Sequence, residues 1–66
     1  MRIELNGIER ELADGTTVGE LITAVIGTDR GSAAVVEGSV VPRSAWTTQR
    51  LTDGQRVELI TAVQGG

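Results

Sequence analysis

Hydrophobic and polar residues alternate near both ends of the chain, which is the period of a β-strand with one buried face. Residues 2–6 alternate strictly, and residues 8–13 alternate again after Asn6-Gly7, with Ile8 on the apolar face. Asn-Gly favours a two-residue hairpin turn because both turn positions need a positive φ. Residues 56–63 alternate as well, but with apolar side chains on both faces. We therefore predict an opening β-hairpin and a final strand in the middle of a sheet.

A longer period lies between these strands and predicts one helix. Apolar residues recur at spacings of three and four through residues 18–26, which form one stripe of an amphipathic helix. Thr17 and Glu20 fit a capping box at its start. Gly27 fits its end, because glycine readily adopts the left-handed conformation that terminates helices.

Two short apolar stretches, residues 33–36 and 40–41, are predicted to be strands that precede the last one. With a helix between them, the opening hairpin and the final strand are expected to meet in parallel. The predicted fold class is α+β, with one main helix packed on a four- to five-stranded mixed sheet whose first and last strands are parallel and central. We expect residues 1–62 to form the domain and residues 63–66 a flexible C-terminal tail.

The composition removes most side chains that carry out catalysis. The 66 residues include no His, Cys, Lys or Tyr. The commonest general base, the thiol nucleophile and the Schiff-base amine are therefore missing. A zinc site built on His or Cys is excluded for the same reason. We predict a protein that is not itself an enzyme and binds no cofactor or metal.

The charge balance limits the partners. Nine acidic residues outnumber six arginines, which gives a net charge of −3. This argues against nucleic acid and anionic membranes, which attract basic proteins, and favours a basic protein surface. No apolar run is long enough to span a bilayer, and no signal peptide is evident. We predict a cytoplasmic protein that is a monomer when free.

The feature that suggests chemistry is the terminal Gly65-Gly66. Without a Cβ, the backbone of these residues can enter a channel too narrow for any side chain. The terminal α-carboxylate would then be presented on a flexible tether, and adenylation would turn it into an acyl electrophile. Taken alone, the dipeptide is equally well explained as a chain end without a role.

The whole pattern is more specific than the dipeptide. A compact hairpin–helix–strand domain that ends in Gly-Gly resembles the ubiquitin-like β-grasp carriers. Residues 41–46 (Val-Pro-Arg-Ser-Ala-Trp), followed by Asp53-Gly54 and the tail, more narrowly resemble the thiamine-pathway sulfur carriers, over essentially the whole chain. The chain differs from the small subunit of molybdopterin synthase, which tends to have paired prolines where residues 60–63 read Ile-Thr-Ala-Val.

This resemblance implies a β-grasp fold and a reaction cycle at the tail. An E1-like adenylating enzyme would use ATP to activate the Gly66 carboxylate, and a sulfur donor enzyme would convert it to a thiocarboxylate. Thiazole synthase would then take the sulfur. Gly65, Gln64 and Val63 would enter the partner's active site with it.

Three further residues are candidates for a partner interface: Trp46, Arg43 and Ile60. As the sole aromatic residue, Trp46 is better explained by packing on the core, with an interface anchor as the alternative. Arg43 is better explained as an exposed charge after a strand. Four glutamates are expected on a solvated face of the sheet, with a basic partner as the alternative: Glu4, Glu9, Glu11 and Glu58.

Two other functions remain open from the sequence. The same carboxyl chemistry could serve molybdopterin or cysteine synthesis, or conjugation to protein lysines. Alternatively, the chain could be a ubiquitin-like interaction module whose Gly-Gly has no chemical role.

Overall fold

The computed structural model describes residues 1–27 and 31–61. Its elements within these ranges are, in chain order, β1 (Arg2–Leu5), β2 (Ile8–Glu11), α1 (Val18–Val25), β3 (Ser32–Val36), β4 (Ser39–Val41), a 3₁₀ turn (Arg43–Ala45) and β5 (Arg56–Thr61). The helix and the five strands are the predicted elements in the predicted order.

The five strands form one mixed sheet in the order β2-β1-β5-β3-β4. β1 and β5 are parallel, with Leu5 opposite Val57, and every other pair is antiparallel. β5 therefore lies in the middle of the sheet, between the two hairpins. This arrangement confirms the predicted α+β fold class and its parallel central pair.

Local signals in the sequence determine the turns and the helix ends. Asn6 and Gly7 have φ values of 49° and 83°, as the hairpin turn requires. The Thr17 hydroxyl oxygen accepts the Glu20 N–H at 3.1 Å, and a Glu20 carboxylate oxygen accepts the Thr17 N–H at 2.8 Å. This completes the predicted capping box. Gly27, at φ 88°, follows the last residues of α1.

The helix α1 covers one face of the sheet, and the core lies between α1 and that face. Its buried hydrophobic residues come from α1, from every strand except β2 and from the segment between β4 and β5: Ile3, Leu5, Val18, Leu21, Ile22, Ala34, Val36, Val41, Trp46, Leu51, Val57 and Leu59. No buried side-chain nitrogen or oxygen atom of the described residues lacks a hydrogen-bond partner.

β5 is central, as predicted, and its two faces differ in burial. Val57 and Leu59 are buried on the face that α1 covers, while Glu58 and Ile60 on the other face are exposed. Among the described residues, one helix packs on the sheet and leaves its other face open. Ile8 is 67% exposed, because β2 is an edge strand whose four residues all face solvent.

The boundary predicted between domain and tail, at residues 62 and 63, lies outside the described residues. It stays a prediction.

Candidate functional site

The C-terminal tail continues from the central strand of the sheet. The buried side chains of Val57 and Leu59 hold β5 against the core. Leu59 lies two residues before Thr61, which is the last described residue of the chain. The four predicted tail residues, Val63, Gln64, Gly65 and Gly66, lie outside the described residues. Their role at a partner's active site stays a prediction.

The face of the sheet opposite α1, which we call the open face, carries the most distinctive surface of the described chain. Strand register places these residues on it: Arg2, Glu4, Glu9, Glu11, Ala33, Val35, Val40, Arg56, Glu58 and Ile60.

The apolar part of the open face is a patch of four residues, Ala33, Val35, Val40 and Ile60. Ile60 is opposite Ala33, and Val35 is opposite Val40, so the four side chains adjoin across three strands. Ile60 is 52% and Val40 70% exposed. Contiguous exposed apolar surface of this kind marks interaction sites. The patch reaches the end of β5, from which the tail continues.

The charged part of the open face adjoins this patch. Arg2 Nη1 is 3.3 Å from a Glu9 carboxylate oxygen, and Arg56 Nε is 3.2 Å from one of Glu4. The four glutamates predicted for a solvated sheet face all lie on it, which confirms that prediction. The open face carries these four glutamates and only two arginines, Arg2 and Arg56. It is therefore acidic overall and suits a basic partner surface.

Trp46 and Arg43 lie on the other side of the sheet from Ile60. Trp46 is only 5% exposed, and its indole N–H donates to the Val41 carbonyl at 3.0 Å. The Arg43 guanidinium lies 5.6 Å from the centre of the Trp46 ring, within the range of a cation–π contact. The prediction that Trp46 packs on the core is thus confirmed.

The three candidate interface residues are therefore not brought together. Arg43 and the edge of Trp46 line a groove beside the helix residues Gly19 and Thr23. Ile60 belongs to the open face. The interface roles of Arg43 and Ile60 stay predictions, and they concern two different surfaces.

Two contacts near the site were missed by the sequence analysis. The side-chain amide of Asn6 forms two hydrogen bonds with the backbone of Leu59. The Gly19 N–H donates to the Trp46 carbonyl at 2.9 Å. The Asn6-Gly7 pattern predicts only a turn at Asn6. No local sequence pattern points to either contact, because each partner is distant along the chain.

Neither a metal site nor a membrane span is found in the part of the chain that the structure describes. No group of three or more acidic, His or Cys residues there could hold a metal ion. No helix there is long and apolar enough to cross a membrane.

Comparison with known proteins identifies close similarities over the whole chain. The ThiS family model matches residues 3–66. The sulfur carrier protein ThiS of Escherichia coli K12 is 30% identical over 66 residues, which is the full length of both chains. A crystal structure of the thiamine biosynthesis protein ThiS from Geobacter metallireducens has a TM-score of 0.82 at 26% identity, again covering 100% of both chains.

Proposed function

The chain belongs to the ThiS family, and from this premise we propose that it is a sulfur carrier of thiamine biosynthesis. The observation that carries this conclusion is the match over residues 3–66 together with a relative of the same length named as a sulfur carrier. The protein is a substrate passed between enzymes rather than an enzyme.

The reactive group in this proposal is the Gly66 carboxylate. One carboxylate oxygen attacks the α-phosphorus of ATP on an E1-like adenylating enzyme, which releases pyrophosphate and forms an acyl-adenylate. A sulfur donor enzyme then supplies sulfur to the acyl carbon, AMP leaves, and a thiocarboxylate results. Thiazole synthase takes the sulfur in exchange for an oxygen atom, supplied by the acceptor substrate or by water, and this exchange regenerates the carboxylate. We infer a cytoplasmic location, because the adenylation step draws on ATP. We also propose that the carrier itself binds no cofactor, since ATP binds to the adenylating enzyme.

The composition supports this assignment of roles. The chain has no Cys and no Lys, so no side-chain thiol or amine can capture the activated tail. Residues 62–66 follow the last described residue, and five residues span at most about 18 Å. That reach allows the carboxylate to enter a partner's active site while the domain remains on the partner's surface.

The open face is the surface we assign to docking of the adenylating enzyme. Its apolar patch adjoins the end of β5, so a partner that covers Ile60 is also close to the start of the tail. Its four glutamates favour a partner with basic residues around an apolar centre. Arg43 faces the other side of the sheet, and a contact through it would require a second surface.

Mass spectrometry of the intact protein tests the proposed chemistry. The carrier is incubated with ATP, a sulfur source and an adenylating enzyme shown to act on another thiamine-pathway carrier. We expect the mass change that replaces one oxygen by sulfur, localised to Gly66 by fragmentation. A chain that lacks Gly66 is the control and should show no change. Absence of the change in the complete chain would overturn the proposal.

The pathway is tested separately by growth. Expression of the chain in cells that lack their own thiamine-pathway carrier should remove their requirement for thiazole. Rescue of a molybdopterin-synthase mutant instead would assign the same carboxyl chemistry to another pathway. Rescue by a chain with a C-terminal tag would favour an interaction module without carrier chemistry.

A further inference from the structure

The second half of β5 is supported by a strand on one side only. All of β3 pairs with β5, and the paired residues of β5 run from Val57 to Thr61. On the other side, β1 pairs only with Arg56 and Val57. β1 stops there because the chain turns at Asn6. Beyond Val57, no strand among the described residues continues the parallel side of the ladder.

The side chain of Asn6 fills this gap. The Asn6 backbone N–H donates to the Val57 carbonyl at 2.9 Å, which is the last backbone contact of the parallel pair. Its side-chain oxygen then accepts the Leu59 N–H at 2.8 Å, and its side-chain nitrogen donates to the Leu59 carbonyl at 3.2 Å. The amide acts as one more peptide group and extends the ladder to Leu59.

The turn by itself does not require this side chain. A two-residue turn of this type accepts Asn, Asp or Gly at its first central position, since each tolerates a positive φ. Among these three residues, only Asn has a side chain with both a donor and an acceptor. The N–H and the carbonyl of Leu59 need one of each. The contact with Leu59 therefore needs a reason beyond the hairpin.

We propose that Asn6 is a positioning residue for the carrier reaction, holding the end of β5 so that the tail begins at a fixed point beside the open face. This inference rests on the proposed function. When the contact is lost, the half-supported end of β5 opens more readily. The segment between the folded domain and the Gly66 carboxylate then includes several additional residues, and the effective concentration of the carboxylate at the partner's active site falls as roughly the −3/2 power of the length of that segment.

Amide hydrogen exchange tests the contact itself. Asn6→Gly keeps the positive φ and removes the amide, whereas Asn6→Asp keeps the acceptor for the Leu59 N–H. We expect exchange at the Leu59 N–H to accelerate by up to about tenfold in Asn6→Gly. It should stay near the original rate in Asn6→Asp. Equal exchange in the original chain and Asn6→Gly would overturn the proposed clamp.

Steady-state adenylation tests the positioning role. In Asn6→Gly we expect kcat to fall by roughly twofold or more, because the tail is delivered less often. KM should be nearly unchanged, because the open face is intact. Thr17→Ala is the control: it removes the helix cap, lowers stability at a distance from β5, and should leave both constants unchanged.

The outcomes separate this inference from the proposed function. If the original chain is not adenylated, the proposed function fails. If the original chain is adenylated and Asn6→Gly matches it in kcat, or loses activity to the same extent as Thr17→Ala, the positioning role alone is refuted.

Discussion

At the scale of single residues, Gly19 allows the loop around Trp46 to approach the first turn of α1. A Cβ built on Gly19 would lie 3.1 Å from the Trp46 carbonyl oxygen, which is tighter than ordinary van der Waals contact. That oxygen accepts the Gly19 N–H at 2.9 Å, so the loop cannot withdraw without losing the hydrogen bond. The glycine that weakens the helix by propensity thus permits the packing of the sole aromatic residue.

Gly19→Ala should therefore destabilise the protein, although alanine is the better helix former. Alanine gains about 1 kcal/mol in helix propensity, and crowding against fixed backbone costs about 1–3 kcal/mol. We expect a net loss of about 1 kcal/mol, or a Tm lower by roughly 5 °C for a domain of this size. Thr23→Ala, at an exposed position of the same helix, is the control and should raise the Tm slightly. A higher Tm for Gly19→Ala would contradict this account.

Residue-scale features were predictable where their causes are local. The capping box of Thr17 and Glu20 and the turn at Asn6-Gly7 depend on neighbours within a few positions, and both were predicted. The Asn6 side chain bonds a residue 53 positions away. No local pattern reports such a contact, because the fold must exist before the two groups meet.

At the scale of elements, alternation revealed β5 but did not reveal which of its faces is covered. Ile60 gives the strand a second apolar face, from which its central position in the sheet was predicted. The described residues place one helix on the sheet, on the face opposite Ile60, so Ile60 is exposed. A sequence pattern cannot distinguish an apolar side chain that the fold buries from one that a partner buries.

Substitution at Ile60 tests whether a partner covers the open face. Ile60→Ser removes apolar surface from the patch, and we expect it to weaken binding to the adenylating enzyme by about tenfold. Ile8→Ser is a matched control, because Ile8 is also an exposed isoleucine and lies off the open face. Binding is measured by calorimetry at fixed salt. Equal effects of the two substitutions, or none at Ile60, would exclude the patch as the docking surface.

At the scale of the whole molecule, the described residues form one core between α1 and the sheet. Its buried hydrophobic residues all lie between Ile3 and Leu59. The order of elements along the chain was sufficient to predict the sheet with its parallel central pair. The tail chemistry was not derivable from packing, and it came from the resemblance carried by residues 41–46 and Gly65-Gly66.

Deletion of Gly66 should consequently separate stability from function. We expect the Tm to stay within about 2 °C of the original, because a terminal glycine adds little to stability. Thiocarboxylate formation should be lost completely. Thermal unfolding and intact-mass measurement on the same preparation check both expectations. A large fall in Tm would mean that the tail contributes to the fold.

The burial of Trp46 has a practical consequence for spectroscopy. The chain has one Trp and no Tyr or Phe, so its intrinsic fluorescence arises from a single indole, enclosed by the core and hydrogen-bonded to the Val41 carbonyl. Emission should shift to longer wavelength when the core opens to water. Chemistry at Gly66 involves no aromatic group and should leave the emission unchanged. Fluorescence therefore counts folded molecules whatever their sulfur content.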